Sequence, residues 1–355
     1  MSETVLPVKV GITHGDFNGI GYEVIMKAFA DAAMLELCTP VIYGMSKAAS
    51  HYRKALNIQD FNFYGIADAS KAVKHHCNFI NLTDIDVGMD PGKSSPAAGS
   101  WAVKAIQRAT ADLKEGLIDV LVTAPINKQN VQGPDFNFPG HTEYFAAQTG
   151  QSNYLMLLVS EGLRVGTVTG HVPLQNVASK LSVDLIVSRL KVFSEALLQD
   201  FGIRAPRIAV LGLNPHAGDG GVIGKEEETI ILPAIKKANQ ENIMAFGPYP
   251  ADGFFGNGTW KKFDGVLAMY HDQGLIPFKS IAFHHGVNFT AGLPIIRTSP
   301  DHGTGYDICG QNIADPSSLR EAVFTAIDIY RNRKLHAEIS ADPLKQQARR
   351  ERERY

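Results

Sequence analysis

Short apolar runs rich in β-branched residues alternate with stretches of helical periodicity along most of this chain. That alternation restricts the fold to a largely parallel α/β architecture. Val8–Thr13 reads as a first strand, and after Gly21 apolar residues recur with helical spacing at Val24, Ile25, Ala28, Phe29 and Ala32. Pro40–Gly44 and Asn78–Leu82 read as further strands. Pro96–Glu115 reads as a long helix ending at Gly116, a residue suited to a left-handed C-cap, and Ile118–Thr123 as the strand after it. The next segment, APINKQNVQGPDFNFPGHTE, is too rich in Pro, Asn and Gly for a regular element, and irregular loops of that length are usually functional. Strands resume at Tyr154–Ser160, Val165–Thr169, Arg207–Leu213 and Gly265–Met269, with helices around Val183–Asp200 and Glu226–Glu241 and a last helix near Leu319–Arg333.

A chain of 355 residues is long enough for two core-bearing domains. With 45% hydrophobic and 20% charged residues it is neither disordered nor fibrous, and a formal net charge of −2 gives no electrostatic case for nucleic acid or an anionic membrane. An anionic small molecule needs only a local basic pocket. Cys38, Cys77 and Cys309 are far apart and form no CxxC pair, so they read as reduced thiols. MSETVLPVKVGIT has no basic n-region or apolar h-region, and no run approaches a membrane span, so the expected location is cytoplasmic. The basic end of the chain, KQQARRERERY, reads as a solvated, flexible tail.

Three of the twelve histidines share a context. His171 closes RVGTVTGH, His216 closes RIAVLGLNPH and His271 closes GVLAMYH, each at or just past the carboxyl end of an expected strand, the edge where open α/β sheets bind ligands. A single histidine there is more often a hydrogen-bonded structural residue. Three on successive parallel strands converge, and three imidazoles hold a divalent ion while leaving positions open for substrate. A second constellation suits an anion. His141 and Thr142 of GHTEYF stand at an expected helix start, where Thr can cap and free N–H groups face a negative group. Lys279, Asn288 and Arg297 punctuate an apolar segment in which buried cations must meet a carboxylate, the protein's own or a ligand's. His284, His285 and His302 lie nearby in sequence without an assigned role. Three glycine-rich stretches fail as nucleotide loops. Gly88–Ser94 is one residue short of GxxxxGK[ST], and neither Gly15–Gly21 nor Gly218–Gly224 has the spacing of GxGxxG.

The motifs GITHGDFNGIGYE, LVTAPINK, GHTEYF, LGLNPHAGDGG, LAMYHDQGL, GVNFTAGLP and IRTSPDHGTGYD, in this order from about Val8 to about Tyr330, resemble those of the 4-hydroxythreonine-4-phosphate dehydrogenase family. The resemblance implies two α/β/α domains like those of the isocitrate and isopropylmalate dehydrogenases, with an active site in the interdomain cleft at the interface of a homodimer. The corresponding division is 1–127 plus about 295–340 for the first domain and 128–294 for the second, with 341–355 as the basic tail. It assigns His171, His216 and His271 to one divalent metal ion shared between subunits, zinc first, with magnesium or cobalt as alternatives. It assigns His141, Thr142, Lys279, Asn288 and Arg297 to the substrate. The implied reaction is NAD-dependent oxidation of 4-phosphooxy-L-threonine and decarboxylation to 3-amino-2-oxopropyl phosphate in pyridoxal phosphate biosynthesis. The alternative is the dehydrogenation of a four-carbon sugar-acid phosphate such as erythronate or threonate 4-phosphate. Asp252 of PYPADGFF, otherwise a turn or capping residue, is the candidate proton acceptor, with Lys279 as a second candidate catalytic group. Two positions that are commonly proline in the family's first loop are Phe17 and Tyr22 here, a difference that bears on loop rigidity rather than on chemistry.

Overall fold

A computed structural model describes residues 7–59 and 61–342. Residues 343–355, with most of the basic tail, lie outside the described residues. Twelve strands form one continuous sheet: β1 (Val8–Thr13), β2 (Cys38–Gly44), β3 (Tyr64–Ile66), β4 (Asn78–Asn81), β5 (Val120–Thr123), β6 (Leu155–Ser160), β7 (Leu163–Thr167), β8 (Arg207–Leu211), β9 (Met244–Tyr249), β10 (Gly265–Ala268), β11 (Val287–Ala291) and β12 (Arg297–Pro300). Their spatial order is β3-β4-β2-β1-β5-β12-β11-β6-β7-β10-β8-β9. The first six are mutually parallel, as are the last four, β7-β10-β8-β9. Between these blocks the pairings β12–β11, β11–β6 and β6–β7 are antiparallel. The fold class is α/β, as the alternation requires, but the sheet is mixed.

The antiparallel junction departs from the largely parallel pattern, and its cause is local. β6 and β7 are joined by Glu161 and Gly162 alone, with Ser160 opposite Leu163 and Gly162 at φ +73°. Two residues suffice for a hairpin, whereas a parallel crossover needs a dozen or more.

Helices cover both faces because the parallel strands are apolar on both sides. The helix Pro96–Lys114 starts with the Ser95 side chain accepting from the Ala98 N–H and buries Ala102, Val103, Ile106 and Ala109. Gly116 beyond it has φ +70°, as its expected role requires. The helix Val183–Gln199 is capped by Ser182, and Ser317–Ala341 packs on β12 and β5. The segment expected as one helix at Glu226–Glu241 is a π-helical turn, Glu227–Ile231, leading into the helix Leu232–Gln240.

The first loop is firmly held without its prolines. Phe17 and Tyr22 are fully buried, and the Tyr22 hydroxyl accepts from the Met45 N–H at 2.7 Å while its ring stacks on His14. All three cysteines are free thiols. No helix among the described residues is long and apolar enough to cross a membrane.

Candidate active site

The antiparallel junction forms the floor of a cavity of about 280 Å³. Register explains which side chains line it. Asn288 on β11 lies opposite Leu158 on β6 and Ser299 on β12, and Thr290 lies opposite Met156. Alternate strand residues share a face, so Asn288, Thr290, Leu158, Met156, Ser299 and Arg297 all present to one side. The rim comes from elements that end or begin there. β5 delivers Thr123, the irregular loop delivers Lys128, and the helix His141–Thr149 opens with His141, Thr142 and Glu143. The helix His271–Ala282 contributes His271, Leu275 and Lys279, four residues apart along a single face.

Arg297 is the electrostatic centre of this cavity. It is 3% exposed, and its Nε and Nη2 both donate to the Thr123 hydroxyl, at 3.0 and 2.6 Å, while the guanidinium lies 5.8 Å from the Phe145 ring centre. Among the described residues no carboxylate forms an ion pair with it. Burial pulls its pKa down to about 9, only partly opposed by the field of Glu143. The charge of a buried, unpaired arginine is relieved by an anion.

The neighbouring polar atoms are similarly unsatisfied. Nε2 of His141, Oδ1 of Asn288 and Nε2 of His302 are buried without a hydrogen-bond partner. Burial, then the charges of Arg297 and Lys128, hold the His141 pKa well below that of free histidine. His302 is likewise held low by burial. Lys279, in contrast, meets one of the protein's own carboxylates, Asp301 at 3.3 Å. Burial raises the Asp301 pKa against the pull of Lys279. A cation, an unpaired guanidinium and several orphaned donors and acceptors around one cavity suit a small ligand with more than one oxyanion.

Of the expected site residues, His141, Thr142, His171, His271, Lys279, Asn288 and Arg297 all line this cavity. Thr142 does not cap its helix: Gly140 is the N-cap, and the Thr142 hydroxyl instead meets that of Thr290 at 3.3 Å. His171 and His271 have ring centres 5.6 Å apart, and Asp272 contacts His271 Nδ1 at 2.7 Å. Burial lowers the His171 pKa, which favours the neutral, ligating form. Two such imidazoles fit a divalent ion. His216 is not brought to them within one chain. It lines an adjacent cavity with Asp252, Tyr270 and Asp272, although its strand, β8, runs parallel to β10 beside β7. No group of three His, Cys, Asp or Glu residues among the described residues is close enough to hold a metal ion. Asp252, exposed in the first turn of the helix Ala251–Gly256, is therefore grouped with His216 rather than with the substrate residues.

Lys128, Glu143, Asp301 and Thr123 also line the cavity, without a sequence signal of their own. Each stands within a quoted motif, and the signal that points to them is the buried charge of Arg297, which requires polar neighbours.

The model of the pyridoxal phosphate biosynthetic protein PdxA family matches residues 36–326. The chain belongs to the PdxA family. This PdxA-family chain is 51% identical over 341 residues to a 4-hydroxythreonine-4-phosphate dehydrogenase of Bacteroides thetaiotaomicron, covering 96% of this chain and 93% of the relative. A crystal structure of the 4-hydroxythreonine-4-phosphate dehydrogenase of Klebsiella pneumoniae is 36% identical, with a TM-score of 0.79 over 91% of this chain and 99% of that one. A terephthalate 1,2-cis-dihydrodiol dehydrogenase from Burkholderia xenovorans is 26% identical, with a TM-score of 0.59 over 91% of this chain and 98% of that one. As a PdxA-family enzyme, the chain is an oxidoreductase.

Proposed function

We propose that the enzyme oxidises the secondary alcohol of 4-phosphooxy-L-threonine with NAD as hydride acceptor, the resulting β-keto acid losing CO2 to give 3-amino-2-oxopropyl phosphate. The observation that carries this reading is Arg297: a buried guanidinium with no carboxylate partner among the described residues, in a cavity it shares with the unsatisfied atoms of His141 and Asn288. Phosphate satisfies the Arg297 guanidinium, with the Nδ2 of Asn288 and the Thr142 hydroxyl as further donors, better than an uncharged diol does. Arg297 and Asn288, at the floor, would grip one oxyanion together with Thr142 and His141. Lys279, at the rim beside Asp301 and His271, would face the other.

In this reading a divalent ion, zinc or alternatively magnesium or cobalt, is held by His171, His271 and His216, and when bound it acidifies the alcohol and polarises the ketone. Because His216 lies in the neighbouring cavity, the three would meet through a second copy of the chain, and Asp252 would travel with His216. In such a homodimer Asp252 would accept the alcohol proton, with Lys279 holding the carboxylate. The orientation of His271 would come from Asp272. A division into domains at 127/128 and about 294/295 is supported by the return of β12 to β5.

The test is a substrate panel with NAD and with NADP. NADH formation should favour 4-phosphooxy-L-threonine, and a tenfold preference for 4-phosphoerythronate would replace this reading with the sugar-acid alternative. Activity on a non-phosphorylated diol alone would remove the role assigned to Arg297.

A further inference from the structure

The glycine-rich segment Gly218–Gly224 takes no part in the cavity described above. It follows His216 through backbone of an uncommon kind, because His216, Ala217, Gly218, Asp219 and Gly220 all have φ between 45° and 81°. L-residues visit the left-handed region singly, and here, with Gly221 at φ +87°, six follow one another, three of them not glycine. Such a run persists only where its surroundings over-determine it.

One side chain dominates those surroundings. Glu227 is buried, and its Oε1 accepts from the Leu213 and Asn214 N–H groups at 2.8 and 2.7 Å. Its Oε2 accepts from Nδ2 of Asn214 at 2.9 Å, and that amide also donates to Glu226. Glu227 opens the π-helical turn Glu227–Ile231, a feature frequent at functional sites. The glycines leave room for this arrangement. A Cβ on Gly218 would lie 2.6 Å from Glu227 Oε2, one on Gly212 3.2 Å from Oε1, and one on Gly224 2.2 Å from Nδ2 of Asn214. The segment that imitates a phosphate loop instead accommodates the protein's own carboxylate.

We propose that Glu227 is a positioning residue whose carboxylate fixes the backbone at Leu213 and Asn214, so that the chain turns left-handed and presents His216 for metal binding. This rests on the reading of His216 as a metal ligand. His271 is oriented by Asp272, whereas His216 is exposed and its placement is set by its backbone. In Glu227→Gln, an amide in either orientation turns one accepting oxygen into a donor facing N–H groups that already donate.

The experiment uses the full-length protein, stripped of metal by chelation and titrated with Co2+ alone, read by visible absorption, with steady-state kinetics alongside. E227Q should weaken Co2+ binding at least tenfold, alter the visible bands and lower kcat, while KM for the phosphorylated substrate stays within twofold. G218A, which keeps the carboxylate but crowds it and strains a φ of +81°, should do the same, and G212A, which crowds Oε1 without a positive φ, carries the test if E227Q does not fold. H216A tests the underlying reading. If H216A loses Co2+ binding while the folded variants at 227, 218 and 212 stay within twofold of wild type, the positioning role is overturned. If H216A itself binds Co2+ like wild type, the metal reading falls and the inference with it.

Discussion

Replacing Arg297 by Met should make the ligand-free protein more stable while abolishing its anion response. The drop of its pKa from the ordinary arginine value to about 9 corresponds to about 5 kcal/mol disfavouring the charged form in the fold. A base whose folded pKa is depressed costs stability throughout the range below about 9, and the cost fades as pH rises from there toward the ordinary arginine value. Against this stand two hydrogen bonds to Thr123, about 1 kcal/mol each, and the Phe145 contact, about 0.5–1 kcal/mol. The balance favours R297M by about 2 kcal/mol, Met matching the arginine stem in length and flexibility. Urea unfolding at pH 7.5 in phosphate-free buffer measures this directly. Added inorganic phosphate at 100 times its Kd should then stabilise wild type by about 2.7 kcal/mol and leave R297M unchanged. An R297M protein less stable than wild type without anion, or equally stabilised by phosphate, would refute the view that this charge is held for a ligand.

Three further outcomes follow from buried groups and from the metal reading. His14 is fully buried with a pKa of about 4, so protonation of the unfolded chain below 6.5 should cost about 2 kcal/mol between pH 7.5 and pH 5. H14F, compared with wild type by urea unfolding at both values, should lack that loss; equal losses would exclude His14 as its source. Gly99→Ala places a Cβ 1.9 Å from the Asn130 carbonyl oxygen, and should destabilise by about 3 kcal/mol in thermal or urea unfolding; a change under about 0.5 kcal/mol would contradict that packing. Chelation should abolish NAD reduction and zinc, magnesium or cobalt should restore it, with little change in Tm because an open site contributes less to folding than a closed one; full activity after verified metal removal would eliminate the metal role.

The parts of the fold and site that could be read from sequence are those whose signals are local. A strand-end histidine is visible once the apolar run before it is seen, which is what marks His171, His216 and His271. Arg297 and Lys279 stood out because charge is expensive in an apolar segment. The antiparallel junction runs against the overall alternation and is signalled only locally, by strands around 154–160 and 165–169 too close together for a parallel crossover and by Glu161-Gly162 as a hairpin turn. The cavity floor stays hidden, because register between β6, β11 and β12 is a tertiary property. Asp301 and Lys128 become meaningful only beside their neighbours, and the separation of His216 from His171 depends on loop paths that periodicity does not encode. Thr142 shows the reverse case: a favourable capping residue was drawn instead toward Thr290.

The return of β12 to β5 also sets a schedule for synthesis. Thr123 and its partner Arg297 are separated by 174 positions. At roughly 5–20 residues per second, β5 waits about 10–35 s on the ribosome before its neighbour emerges. During that interval its free edge offers a row of unpaired N–H and C=O groups to any other nascent strand. A chain stopped short of Arg297 would keep that edge permanently. Early termination should therefore yield aggregates rather than a soluble first half.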